Sequence, residues 1–171
     1  MLALSPIPLV VFVGYPYLKR FTALCHFGVG LGLALSPLGG WVAVTQSARG
    51  FGGILPLGLF GLFWVAGFDV IYATLDEGFD LVHGVHSFPA DLGRRPAMRI
   101  SAWLHLLAFL SLLLLWWIHH WSFVALLAFV PVDALLWAEQ RSAADVELAF
   151  FRINILVGFA VFAAVAVGVK P

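Results

Sequence analysis

The chain has 171 residues, of which 63% are hydrophobic and 11% are charged, and its formal net charge is zero. Soluble domains usually carry about 25% charged residues, so this composition excludes a soluble globule and indicates a protein of the lipid bilayer. The neutral charge balance shows no sign of nucleic-acid binding. The single cysteine, Cys25, excludes an internal disulfide and a cysteine-rich metal site.

Six apolar segments follow one another without a soluble domain between them. We expect each to be a helix, because backbone groups inside a bilayer must satisfy their own hydrogen bonds. The first segment is short, contains three prolines and lacks the features of a signal peptide, as if further sequence preceded it. The predicted fold is a single all-α transmembrane domain over residues 1–171, a polytopic bundle of about six helices. The segments lie at about 2–17, 24–45, 53–74, 98–118, 121–138 and 150–169.

The basic residues predict the orientation of the bundle. Seven of them follow the first, third and fifth segments, whereas only Arg49 and Lys170 lie on the other side. Because cytoplasmic loops are enriched in Lys and Arg, the first set is predicted to face the cytoplasm of a bacterial inner membrane. An aromatic belt is predicted at the opposite boundary. It comprises Trp116, Trp117, His119, His120 and Trp121.

An acidic stretch ends the third segment. Asp69, Tyr72, Asp76, Asp80 and His83 share one helical face if the helix continues past the membrane edge. Asp76 and Asp80, one turn apart, are the predicted metal pair, because two close carboxylates repel each other unless a cation or proton joins them. Hard oxygen ligands of this kind suit Mg²⁺ bridging to substrate phosphates. The alternative interpretation is a solvated helix end with ordinary surface acids.

Basic residues on the same predicted side are candidates for binding a diphosphate. Lys19 and Arg20 lie in the first loop, and Arg94 lies in the longest polar connection with Arg95. The alternative is that these cations only anchor the topology.

Four further polar residues have weaker interpretations. His83 and His86 have metal-ligand spacing, but no thiolate accompanies them and zinc is disfavoured. His105, in the fourth segment, is predicted to be a hydrogen-bonded packing residue. Asp133 is a functional candidate because ionisable groups at membrane depth are costly, although the sequence identifies no partner for it.

Four motifs together resemble the UbiA family of intramembrane aromatic prenyltransferases. They are "YPYLKRFT" (15–22), "DVIYATLDEGFD" (69–80), "HGVHSFPADLG" (83–93) and "FFRIN" (150–154). The order and spacing of the four motifs match those of the family over essentially the whole chain. The third motif is most similar to the branch of 4-hydroxybenzoate polyprenyltransferases and futalosine-pathway menaquinone prenyltransferases.

The resemblance implies nine transmembrane helices around a central cavity, with the six segments here equivalent to helices four to nine. It implies two Asp-rich motifs that bind Mg²⁺ and a polyprenyl diphosphate. The second of these motifs corresponds to Asp69, Tyr72, Asp76 and Asp80, and the family's diphosphate-binding stretch corresponds to Lys19 and Arg20.

The sequence also departs from the family pattern. The first motif, N-x-x-x-D-x-x-x-D, is absent from the 171 residues, and Leu81 and Val82 replace basic and polar residues often found near the second. The implied reaction is transfer of a polyprenyl group to an aromatic acid in ubiquinone or menaquinone biosynthesis. With one carboxylate motif missing, we expect very little turnover from this chain alone, unless a separate N-terminal half or a second copy contributes. Two alternatives stay open: a non-catalytic isoprenoid- or quinone-binding membrane protein, and an ion-coupled transporter.

Overall fold

The computed structural model describes residues 4–47, 49–145 and 148–169, with the side chains of 148–150 excluded. Lys170, which entered the orientation argument, lies outside these residues. All the regular secondary structure in the described ranges is helical, which confirms the predicted all-α class. It consists of α1 (Pro6–Leu18), α2 (Cys25–Thr45), α3 (Phe51–Ala73), α4 (Glu77–His83), α5 (Phe88–Leu92), α6 (Arg94–Ile118), α7 (Phe123–Leu127), α8 (Val130–Arg141), a π-helical segment (Leu148–Ile153) and α9 (Asn154–Gly168).

Five apolar stretches are long enough to cross a bilayer. α2, α3 and α6 each provide one, α7 and α8 together form the fourth (Phe123–Arg141), and the fifth is Phe151–Gly168. The first predicted segment corresponds to the shorter apolar helix α1, which has 13 residues. The structure therefore has the predicted series of six apolar segments and is that of an integral membrane protein.

Helix α3 lies between α2 and α6 and is the centre of the fold. One core cluster packs between α3, α6, α7, α8 and α9; its members include Phe60, Leu112, Phe129, Leu136 and Val157. A smaller cluster near the other end of α3 joins α3 to α6 through Ala66, Val70, Ala97 and Leu104. The acidic end of α3 is consequently held on a packed scaffold.

Small residues allow the helices to approach closely. A Cβ added at Gly28 would lie 2.8 Å from Cβ of Tyr15, and one at Gly32 would lie 2.8 Å from Cε1 of Phe12. On α3, a Cβ added at Gly67 would lie 2.6 Å from Nε2 of His105 in α6. The glycines therefore set the spacing of α1 against α2 and of α3 against α6.

The third predicted segment ends where α3 ends, and the condition for a shared helical face, an α3 that continues past the membrane edge, is not met. α3 ends at Ala73, and the amides of Thr74, Leu75 and Asp76 each donate to the carbonyl three residues earlier. This tighter hydrogen-bonding pattern ends the α-helix, and α4 begins afresh at Glu77. Asp69 therefore lies on α3, whereas Asp76 and Asp80 belong to a separate short helix.

Candidate active site

The predicted acidic residues occupy different environments. Asp69 faces α2, and its side chain is 18% exposed. Asp76 is exposed at the start of α4, whereas Asp80 is buried. The amide of Asp80 donates to the carbonyl of Asp76 over 2.8 Å, so the two acids remain one helical turn apart. Tyr72 is 37% exposed near the end of α3.

Asp69 is hydrogen-bonded to a histidine that the sequence interpretation overlooked. His26, at the start of α2, is fully buried, and its Nδ1 lies 2.6 Å from Oδ2 of Asp69. The amide of Phe88 donates to Nε2 of the same ring over 3.3 Å. Because Nε2 accepts a hydrogen bond, the proton is on Nδ1, and the neutral imidazole donates it to the Asp69 carboxylate.

The loop at residues 84–88 joins the predicted parts of the site. Gly84 adopts φ 64°, a left-handed conformation that glycine tolerates best, and this turns the chain back after α4. The amide of His86 then donates to the carbonyl of Lys19 over 2.8 Å. The Ser87 hydroxyl donates to Oδ2 of Asp80, also over 2.8 Å. The motifs at 15–22, 69–80 and 83–93 therefore meet at one end of the bundle.

The predicted diphosphate-binding cations lie around this end but contact different groups. Lys19 is half-buried, Arg20 is exposed, and Arg94 is exposed at the first residue of α6. The Arg20 guanidinium lies 5.4 Å from the centroid of the Tyr17 ring. In the part of the chain that the structure describes, no ion pair joins these three cations to the acids of α4.

The donor set at this end is compatible with Mg²⁺. Among the described residues, no three His, Cys, Asp or Glu side chains form a group that could hold a metal ion. Mg²⁺ needs only one or two carboxylates when waters and substrate phosphates complete its coordination, and Asp76 and Asp80 fit that requirement. The zinc interpretation gains no support, because His83 Nδ1 lies 2.9 Å from the Phe79 carbonyl and His86 Nδ1 lies 3.1 Å from the Asp91 carboxylate.

A second polar network lies on the opposite side of α3. The Ser101 hydroxyl donates to the Gly67 carbonyl over 2.7 Å. The Gln140 side-chain nitrogen lies 2.6 Å from Oγ of Ser101 and 3.0 Å from Nδ1 of His105. His105 is therefore a hydrogen-bonded packing residue, as predicted. Glu139 is fully buried beside it, with Oε2 3.8 Å from Nε2 of His105.

Glu139 has an unusual environment for a carboxylate. Within the described residues, neither of its oxygens nor Nε2 of His105 has a hydrogen-bond partner in good geometry, and the Asn154 side chain provides a further polar interaction with the carboxyl group. The sequence interpretation missed this residue because it ended the fifth segment at 138, which placed Glu139 at the membrane edge. Asp133, the predicted functional candidate of this segment, is instead exposed in the first turn of α8.

The fourth motif contributes a structural contact. The Trp64 indole nitrogen donates to Oδ1 of Asn154 over 2.9 Å, which ties the start of α9 to α3. Both residue types hydrogen-bond well when partly buried, but the sequence alone does not reveal that they are partners.

A cavity of about 550 Å³ lies at the end of the bundle opposite the acidic residues. Its lining includes Trp41, Leu57, Leu115, His119 and Trp121, so it contains part of the predicted aromatic belt. The His119 ring lies 5.5 Å from that of Trp121, and its Nε2 lies 3.0 Å from the Gly53 carbonyl.

Comparisons with known proteins agree with this arrangement. The profile of the UbiA prenyltransferase family matches residues 1–156. The 4-hydroxybenzoate octaprenyltransferase of Actinobacillus pleuropneumoniae serotype 5b (strain L20) is 29% identical over 175 residues, covering 97% of this chain and 57% of that protein. The mitochondrial 4-hydroxybenzoate polyprenyltransferase of Dictyostelium discoideum is 37% identical over 86 residues, covering 50% of this chain and 18% of that protein.

The fold has a close counterpart among solved structures. The apo structure of a UbiA homolog from Aeropyrum pernix K1 superposes with a TM-score of 0.85 at 29% identity, covering 97% of this chain and 63% of that one. The chain spans less than two thirds of the length of each of these three proteins. The matched family profile, the superposition and the meeting of three motifs at one end of the bundle lead to one conclusion. The chain belongs to the UbiA prenyltransferase family.

Proposed function

We propose that this protein takes part in the transfer of a polyprenyl group from polyprenyl diphosphate to an aromatic acid in quinone biosynthesis. One observation carries the proposal: a single loop hydrogen-bonds both to the basic first motif, at the Lys19 carbonyl, and to the acidic second motif, at Asp80. The relatives that are named as 4-hydroxybenzoate prenyltransferases support the choice of an aromatic acceptor.

The basic residues at this end of the bundle bind the diphosphate, and the acidic residues bind the metal ion. Lys19, Arg20 and Arg94 attract the anionic diphosphate and stabilise the negative charge that grows on it as the carbon–oxygen bond breaks. Asp76 and Asp80 would hold Mg²⁺, which when bound supplies positive charge for the departing diphosphate. An electron-rich carbon of the aromatic ring then attacks the allylic cation left by this bond cleavage, and the same ring carbon loses its proton to water, so that the products are the prenylated aromatic acid and free diphosphate.

The residues present supply only one of the two carboxylate groups that the family resemblance implies. We therefore propose that prenyl transfer requires a second Asp-rich group, provided by a separate N-terminal half or by a second copy of the chain. The site would face the cytoplasm from the bacterial inner membrane, since most basic residues lie at the same end of the bundle.

The test is prenylation of 4-hydroxybenzoate in membranes that contain the chain with or without a co-expressed N-terminal half of a relative. We expect activity with the added half, and loss of at least about 100-fold in Asp76→Ala and Asp80→Ala, as for removal of one charge-stabilising group. Glu77→Ala is the matched control because it removes the same charge from the same helix. Absence of prenylation in every combination would refute the catalytic proposal.

The cavity at the opposite end favours a second candidate function. Its mostly apolar and aromatic lining is typical of small-molecule sites, and it would suit a non-catalytic isoprenoid- or quinone-binding protein. That function predicts ligand binding that does not depend on Mg²⁺ and is unchanged by Asp76→Ala. Binding that disappears on removal of Mg²⁺ would contradict it.

A further inference from the structure

His26 contacts two parts of the candidate site at once. Nδ1 donates to Asp69 in α3, and Nε2 accepts from the amide of Phe88 at the start of α5. The ring also stacks on the Phe88 side chain, with centroids 5.3 Å apart and planes 19° from parallel. Because the residue is fully buried, water does not replace either hydrogen bond.

Three consecutive residues next to this contact each bond to a different part of the site. His86 bonds to the carbonyl of Lys19, Ser87 bonds to Asp80, and Phe88 bonds to His26 and through it to Asp69. Asp69 and the residue 86–88 loop come from different segments, and His26 is the side chain that links them. A displacement of His26 would therefore release the carboxylate and the loop together.

We propose that His26 is a positioning residue. Its Nδ1 fixes the position of the Asp69 side chain and its Nε2 fixes the position of the residue 86–88 loop, so the acidic and basic parts of the site are held in place relative to each other. The inference rests on the proposed function for its catalytic consequence. A neutral imidazole is suited to this role because its rigid ring carries one donor and one acceptor. Holding charged groups in place before a ligand binds lowers the cost of binding that ligand.

Two substitutions separate hydrogen bonding from packing. His26→Phe keeps an aromatic ring against Phe88 and removes both hydrogen bonds. His26→Gln removes the ring and keeps a donor and an acceptor, because a carboxamide carries both. Each variant of the 171-residue chain is purified in lipid nanodiscs, where size exclusion and helix content check that it is folded.

The first measurement is hydrogen exchange of the residue 84–88 segment. We expect exchange about tenfold faster in His26→Phe than in wild type, because the Phe88 amide loses its acceptor, and near-wild-type exchange in His26→Gln. Equal exchange in His26→Phe and wild type would overturn the inference. If His26→Phe does not fold, the inference is tested with His26→Gln. Fast exchange in that variant, once it is shown to be folded, would mean that hydrogen bonds from residue 26 do not hold the loop in place.

The second measurement is Mg²⁺-dependent binding of geranyl diphosphate by the same variants, each co-expressed with the N-terminal half of a relative. We expect His26→Phe to raise the Kd about tenfold and His26→Gln to restore it to within about threefold of wild type. If wild type binds no geranyl diphosphate while exchange responds as expected, the proposed function fails and the positioning of the loop stands. If Asp76→Ala abolishes binding but His26→Phe leaves the Kd unchanged, the positioning role fails and the proposed function stands.

Discussion

Two histidine–carboxylate pairs lie on opposite sides of α3, and they differ in how completely they are satisfied. In the His26–Asp69 pair the Nδ1–Oδ2 distance is 2.6 Å, and the remaining ring nitrogen also has a partner. In the His105–Glu139 pair the closest N–O distance is 3.8 Å, and among the described residues three of its polar atoms have no hydrogen-bond partner in good geometry. A histidine and a carboxyl group thus form a short hydrogen bond on the α2 side of α3, whereas on the α6 side the corresponding atoms are too far apart to form one.

The difference follows from where each carboxylate lies. Asp69 is partly exposed at the end where the basic and acidic motifs meet, so its carboxyl group retains some contact with solvent. Glu139 is fully enclosed between helices. A buried charge is costly unless it is paired and hydrogen-bonded. We therefore propose a functional role for the first pair and a cost in stability for the second.

The largest expected effect tests this assignment through activity. Asp69→Asn should reduce prenyl transfer about 10³-fold, or about 4 kcal/mol, because the carboxylate charge is lost while the shape is kept. Glu139→Gln should stay within about threefold of wild type. Initial rates with 4-hydroxybenzoate, in membranes supplemented with the N-terminal half, measure both. A Glu139→Gln variant as inactive as Asp69→Asn would reverse the assignment.

A smaller effect is expected on stability at the second pair. His105→Leu should destabilise the protein by about 3 kcal/mol, since the Gln140 side chain loses its hydrogen-bond partner at Nδ1 and the buried Glu139 loses its nearest polar neighbour. The double variant His105→Leu/Glu139→Leu should recover most of that loss, because the unsatisfied carboxylate is also removed. Denaturant unfolding in detergent micelles measures both. Additive losses in the double variant would show that Glu139 is already well accommodated.

The smallest effect concerns the spacing of α3 against α6. Gly67→Ala should cost about 2 kcal/mol, because the added methyl group meets the His105 ring and forces α3 away from α6. Gly78→Ala is the matched control: apart from its chain neighbours and the nearby backbone of its own helix, no atom of the described residues lies within 4 Å of the added Cβ, and alanine favours the helix. Thermal unfolding of both variants gives the comparison. Equal melting temperatures would mean that the His105 ring moves aside freely.

The features of the protein that depend on hydropathy and on the order of the motifs were predicted correctly from the sequence. The six apolar segments and the family were correct, because long apolar runs and four spaced motifs are signals contained in the chain itself. The packing role of His105 was also correct. Whether α3 continues is a condition that the sequence cannot decide, because helical periodicity cannot show that the amides of residues 74–76 bond to the carbonyls three residues earlier and end the helix.

The roles of His26 and Glu139 could not be read from local patterns. His26 follows Cys25 at the start of an apolar segment, and only the folded chain shows that Asp69 and the Phe88 amide meet its ring. Glu139 stands two residues before Arg141, so it looks like a boundary charge until neighbouring helices enclose it. In both cases the partners are more than 30 residues away along the chain.

The hydrogen bonds made by the amides of His86 and Phe88 have an evolutionary consequence. Every amino acid except proline has a main-chain N–H donor. Substitutions at these two positions can therefore change the side chains and still keep the hydrogen bonds from the loop to Lys19 and His26. Proline is the one replacement that would remove either hydrogen bond, because it has no amide hydrogen.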